Sequence, residues 1–167
     1  MQIKIDKRFV ITSVLTAWTA LVAYLLIRPT AESVMREFYE GQRGEVWIAD
    51  PLKNHTNLVK WHVIEHVAYK NMRYRIYAMG FLGECNVTEA LPVLLTILED
   101  QTEEDAFRGQ ALESISLLDL TLATALAERY TDQWGRLGSA AKHIKMGKLP
   151  WTDFDEADDE VAAVCSQ

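Results

Sequence analysis

Ala78-Met79-Gly80-Phe81-Leu82-Gly83-Glu84, followed by Glu89-Ala90-Leu91-Pro92-Val93-Leu94-Leu95-Thr96-Ile97-Leu98-Glu99-Asp100, reads as the end of one helix and nearly all of the next. Ala78 and Gly80 are small enough for two helices to cross closely. Gly83 suits the left-handed residue just past a helix end. Asn86 can cap the second helix, with Glu89 three residues on completing a capping box. Pro92 falls in that helix's first turn, where its missing N–H costs little. Leu91, Leu94, Leu95 and Leu98 then fill the apolar slots and are expected to be buried. A second, weaker version of the pattern follows: Arg108, then Ala111, Leu112, Ser114 and Ile115, then Leu117-Leu118.

This pattern resembles the HEAT-like repeat, including the subtype found in phycobilisome lyases. There a first helix ends in an A-L-G-x-L-G-D-like sequence, a second opens with A-L-P-x-L-L-x-L-L, and an Arg begins the next unit. The resemblance covers Arg73 to Ile115. Met72 stands where the repeat's usual Arg would fall, with Arg73 and Arg75 beside it, and Ser116 replaces the second Gly. What the resemblance implies is an α-solenoid that presents stacked helices to a protein partner. Such units bury their apolar faces only against neighbours, and at least about three are normally needed. One sharp and one degraded repeat therefore call for atypical caps, a membrane or a partner.

Upstream, Phe9 to Ile27 is a run without a charged side chain, bracketed by Lys7-Arg8 and Arg28-Pro29. Roughly 20 apolar residues in a helix cross a hydrocarbon core about 30 Å thick. The run predicts a single transmembrane helix over 9–28, anchored by Phe9, Trp18, Tyr24 and Ile27. Its hydroxyls, Thr12, Ser13, Thr16 and Thr19, can bond back to their own helix. A cleavable signal peptide fits less well, because Pro29 occupies the small-residue slot of the candidate cut. The cluster Lys7-Arg8 places the N-terminus in the cytoplasm, and so the larger domain outside it, in the periplasm of a Gram-negative source.

The remaining chain divides as follows. Residues 1–8 are a basic tail, and 29–56 hold a short helix, Ala31 to Glu40, and a loop marked by Gly41, Gly44 and Asp50-Pro51. Residues 57–134 form the repeat domain, read as four helices to about Asp132 without a convincing strand. Their punctuation falls at Lys70-Asn71, Gly83 to Val87, Asp100 to Glu104, and Asp119. Residues 135–150 form a basic helix with Lys142, Lys145 and Lys148, and 151–167 an acidic tail.

The formal net charge is −7, and the basic cluster precedes the apolar run, so the larger domain is more acidic still. Nucleic acid is excluded as a partner on that ground. Cys85 and Cys165 match no metal or redox spacing and read as two unrelated thiols, with a long-range disulfide the alternative in an oxidising compartment.

His62-Val63-Ile64-Glu65-His66 matches the inverted zinc-peptidase motif, in which two His one turn apart hold the metal and Glu activates water. The distant Glu ligand of those enzymes has no counterpart around Lys142 to Met146, and the chain offers no sheet. The pair therefore reads as solvated helix surface, with a small membrane-tethered zinc metalloprotein or peptidase as the alternative. The acidic tail begins like a calcium loop but places Ala157 and Asp158 where a ligand and the turn glycine belong. Asn54-His55-Thr56 and Asn86-Val87-Thr88 are glycosylation sequons only in a lumenal eukaryotic domain. No phosphate loop, nucleophile elbow or small-molecule substrate site is evident, and no cofactor is expected. The reading is an all-α, non-enzymatic, single-pass membrane adaptor or accessory subunit of a membrane complex. Its expected contacts with a protein partner are Arg73, Arg75, Arg108, Trp151 and Phe154.

Overall fold

The computed structural model describes residues 16, 18, 19, 22, 28–41, 47–148 and 165. Two units are separated by their contacts, residues 1–30 and 31–167. Within the first, Thr16, Trp18, Thr19 and Val22 are helical and exposed, and the Thr19 hydroxyl donates to the Thr16 carbonyl at 3.0 Å. Among the described residues no helix is long and apolar enough to cross a membrane. This corrects the transmembrane helix expected over 9–28, and with it the single-pass anchoring and extracytoplasmic placement. The criterion is physical: a span needs about 20 continuous apolar residues in one helix, and no described helix provides them. Phe9, Tyr24 and Ile27 lie outside the described residues, as do Trp151 and Phe154 of the acidic tail.

The second unit is all helical among its described residues. Its elements are α1 (Ala31–Glu40), α2 (Asp50–Lys53), α3 (Thr56–Val67), α4 (Arg75–Glu84), a 3-10 turn (Thr88–Ala90), α5 (Leu91–Glu99), α6 (Asp105–Leu118), α7 (Leu120–Ala127) and α8 (Arg136–Lys145). Five helices rather than four therefore occupy 57–132. The four breaks read from the sequence delimit five helices, and the last of them is Asp119, whose backbone turns extended and whose carboxylate accepts from the Leu122 N–H at 2.9 Å, capping α7 directly behind α6.

Alternate helices lie against one another. α4, α6 and α8 pack in sequence, while α5 and α7 flank α6 from the other layer, and α3 packs on α1, α2 and α4. Side chains join α3 to the α5 region through Lys60–Glu89 and Lys70–Asp100, and the α5 end to the segment after α7 through Glu99–Arg129. Lys60 holds the Glu89 carboxyl, and Lys70 the Asp100 carboxyl, below the usual carboxylate range. These pairs are exposed and each contributes little to stability.

The core runs through both layers. Leu94, Leu98 and Ile115 are fully buried, as the repeat pattern predicts, while Leu91 and Leu95 are half-buried. The basic C-terminal helix is not an appendage: Leu137, Ala140, Ala141 and Ile144 of α8 are buried in the same core.

The α4–α5 junction exchanges two expected roles. Gly83 lies inside α4, and a Cβ there would sit 2.9 Å from the Ser114 Cα of α6. Its smallness serves close helix packing. The left-handed position belongs to Asn86, with φ 51°. The Val87 N–H donates to the Leu82 carbonyl at 2.9 Å and the Asn86 N–H to the Gly83 carbonyl at 3.0 Å, which is a Schellman closure. Asn86 therefore caps the end of α4 instead of opening α5, and Glu89 pairs with Lys60 instead of completing a capping box.

Cys85, just after α4, is joined to Cys165 by a disulfide across 80 residues of sequence. This corrects the reading of two unrelated thiols, and spacing alone could not reveal it, because the fold brings the two positions together.

Gly83→Ala is expected to destabilise the domain by about 1–3 kcal/mol through overpacking against the α6 backbone, whereas Gly80→Ala, whose Cβ meets only side-chain tips at 3.7 and 3.8 Å, should be tolerated. Chemical denaturation of the two variants checks this.

Candidate functional site

α3 is the helix with the most distinct outer face. Val59, Val63 and Val67 are fully buried at four-residue spacing, one face of the helix, and fix its rotation. Thr56 closes its start, donating to the Lys53 carbonyl at 2.9 Å. With the valines inward, Leu58, Trp61, His62, Glu65 and Tyr69 stand exposed; Trp61 is 58 % and Tyr69 55 % accessible. Leu58 and Trp61 are one turn apart on α3 and Tyr69 lies two residues past its end; exposed apolar side chains grouped in this way mark interaction surfaces.

The side chains on this face are ordered against one another. The His62 and His66 rings lie parallel, 7° apart in plane, with centroids 6.5 Å apart, and Tyr69 meets His66 edge-on at 6.1 Å. His66 Nδ1 is 2.7 Å from the His62 carbonyl oxygen. A carbonyl oxygen only accepts, so Nδ1 carries the hydrogen and the lone pair of the neutral ring is on Nε2. Lys60 lies over the Trp61 ring at 5.5 Å. Among the described residues no three His, Cys, Asp or Glu side chains come together as a metal-binding group. His62 and His66 remain a pair.

The arginines expected at the partner-facing rim are placed differently from one another. Arg75 opens α4 but folds inward: Nε donates to the Val67 carbonyl and Nη1 to Glu103 Oε2, both at 2.7 Å, and the guanidinium covers the Phe107 ring at 5.0 Å. The Arg75 and Glu103 side chains are 1 % and 4 % exposed. That corrects Arg75 as a surface contact. Arg108 does the equivalent one unit later, Nε donating to the Leu98 carbonyl at 2.9 Å with the guanidinium 5.6 Å from the Tyr130 ring. In each case a cation satisfies a carbonyl at the C-terminal end of the preceding helix, where charge and hydrogen bonding agree. Arg73 alone stays exposed, over the Tyr74 ring at 4.5 Å and bonded to its hydroxyl.

A second feature lies at the far end of the array. Thr131 to Gly135, with Ser139 and Lys142 of α8, line an open cleft of about 430 Å³, and Trp134 is 95 % exposed beside it. The N-terminus of α8 is already satisfied there by Asp105, whose carboxylate accepts from the Arg136 and Leu137 N–H groups. The chain matches no protein-family model, no curated protein and no solved structure.

Sequence reasoning set solvated helix surface against a zinc-peptidase motif for His62 and His66 and overlooked the apolar half of the same face. The signal was present: Leu58 and Trp61 lie three residues apart on the side opposite three valines, and Tyr69 follows just past the helix end.

Arg75→Ala should destabilise the domain by about 3–5 kcal/mol, because it strands Glu103 as a buried, unpaired charge. Arg73→Ala should change stability by less than about 1 kcal/mol. Thermal or urea unfolding of both variants distinguishes an inward clamp from a rim contact.

Proposed function

We propose that this chain is a non-enzymatic protein-interaction module, an adaptor or accessory subunit, built on a short stack of HEAT-like helix pairs. It holds a partner protein against the outer face of α3. The observation that carries this reading is the exposure of Leu58 and Trp61 on the outer face of α3, with Tyr69 exposed two residues past its end, while Val59, Val63 and Val67 lock the opposite face. Trp and Tyr are the side chains that most often anchor protein contacts, because they bury a large rigid area and lose little conformational freedom. The HEAT-like resemblance supports the same class, since stacked helix pairs present ridges of side chains to partners. Also supporting it is the inward turn of Arg75 and Arg108: the repeat arginines hold helices together, which leaves recognition to the aromatic face.

The double variant Trp61→Ala/Tyr69→Ala should abolish stable association with the native partner, since each anchor of this kind contributes on the order of 2 kcal/mol or more. Its melting temperature should stay near that of wild type, both side chains being exposed. Chemical crosslinking in the native cell extract, followed by comparison of wild type with the double variant, reads this. Unchanged crosslinked species in the variant would place recognition elsewhere on the domain.

A further inference from the structure

We propose that His62 and His66 form a two-imidazole chelate for a late first-row divalent metal ion on the outer face of α3. Three observations converge on it. The two residues are one helical turn apart, where side chains are neighbours. The helix beneath them is rigidly seated by three fully buried valines, so the two Cβ positions are fixed. The His66 ring is already committed through Nδ1 to the His62 carbonyl at 2.7 Å, the second-shell bond by which metal-ligating imidazoles are oriented with Nε2 presented outward.

The geometry also defines what the site can take. An ion shared by two imidazoles lies about 2.0–2.1 Å from each nitrogen, closer than rings with centroids 6.5 Å apart allow. His66 is the held arm, and His62 turns about its side-chain bonds toward it. With no third protein ligand grouped beside them among the described residues, water completes the coordination shell. Imidazole nitrogens select copper, nickel and zinc over magnesium and calcium, which prefer oxygen. The site is open to solvent, unlike the closed four-ligand sites that hold structural zinc.

The test uses the full chain without a histidine tag, stripped of metal and titrated calorimetrically with nickel, zinc or copper(II) as the probe. Wild type should bind one ion per chain. His62→Ala, His62→Gln and His66→Ala should each weaken binding at least about tenfold, the scale reported for losing even an outer-shell partner. His143→Ala, on the exposed side of α8, should leave it unchanged, and calcium should not bind at the same site. A saturating ion should also raise the melting temperature of wild type, as a ligand of the folded state must, and leave that of the His variants unmoved. The proposal is overturned by a wild-type dissociation constant weaker than about 1 mM. Binding that survives loss of both His62 and His66 overturns it equally.

Discussion

α6 is buried on nearly every side, and much of the domain takes its geometry from meeting the needs of that one helix. Gly109, Gln110, Ala111, Leu112, Ser114, Ile115 and Ser116 are all buried, so its polar side chains must find partners inside the protein. They do so in a continuous chain. The Ser114 hydroxyl donates to the Met79 carbonyl of α4 at 2.9 Å, Gln110 Nε2 reaches Ser114 at 3.4 Å, and Arg136 of α8 donates to Gln110 Oε1 and to Glu113 at 2.9 and 2.8 Å. Left unpaired, each such group would cost about 1–3 kcal/mol. The same chain fixes the register of α4 and α8 on opposite sides of α6. Close approach is permitted by Gly83 on one side and Gly109 on the other, where a Cβ would meet Arg136 at 2.7 Å.

From that centre the array extends by a device used twice. Arg75 and Arg108 each reach back to a carbonyl at the end of the preceding helix and cover an aromatic ring from the following unit, Phe107 or Tyr130. One side chain thus joins three separate segments. These are internal ties of the domain, and the disulfide between Cys85 and Cys165 adds a covalent one, which removes entropy from the unfolded chain in proportion to the logarithm of the loop it closes. With Arg75 and Arg108 engaged in structure, the surface proposed for recognition is the outer face of α3 and the Tyr69 side chain just past it.

The sequence made the helical class and much of the core legible because leucine periodicity reports burial directly: Leu94, Leu98 and Ile115 lie where the pattern placed them. Its errors arose where a residue type serves two purposes. Glycine serves both left-handed caps and close crossings, and Gly83 serves the second. Asparagine serves both ends of helices, and Asn86 closes rather than opens one. An arginine at a helix start is as compatible with an inward clamp as with a rim, and burial against Glu103 is a long-range fact that local pattern does not carry. The candidate face was half legible: the two histidines matched a motif, while their aromatic neighbours matched none. The membrane span was inferred from hydropathy alone, and no described helix meets its length and polarity requirements.

Native-state amide hydrogen exchange tests the central place of α6 most directly, since protection reports the local free energy of opening. The amides of Gln110 to Ile115 should exchange only on global unfolding, as slowly as any in the chain, while those on the outer turns of α3 and α8 exchange through smaller openings. If α6 exchanged as fast as α3, the account of a domain organised around one buried helix would be contradicted.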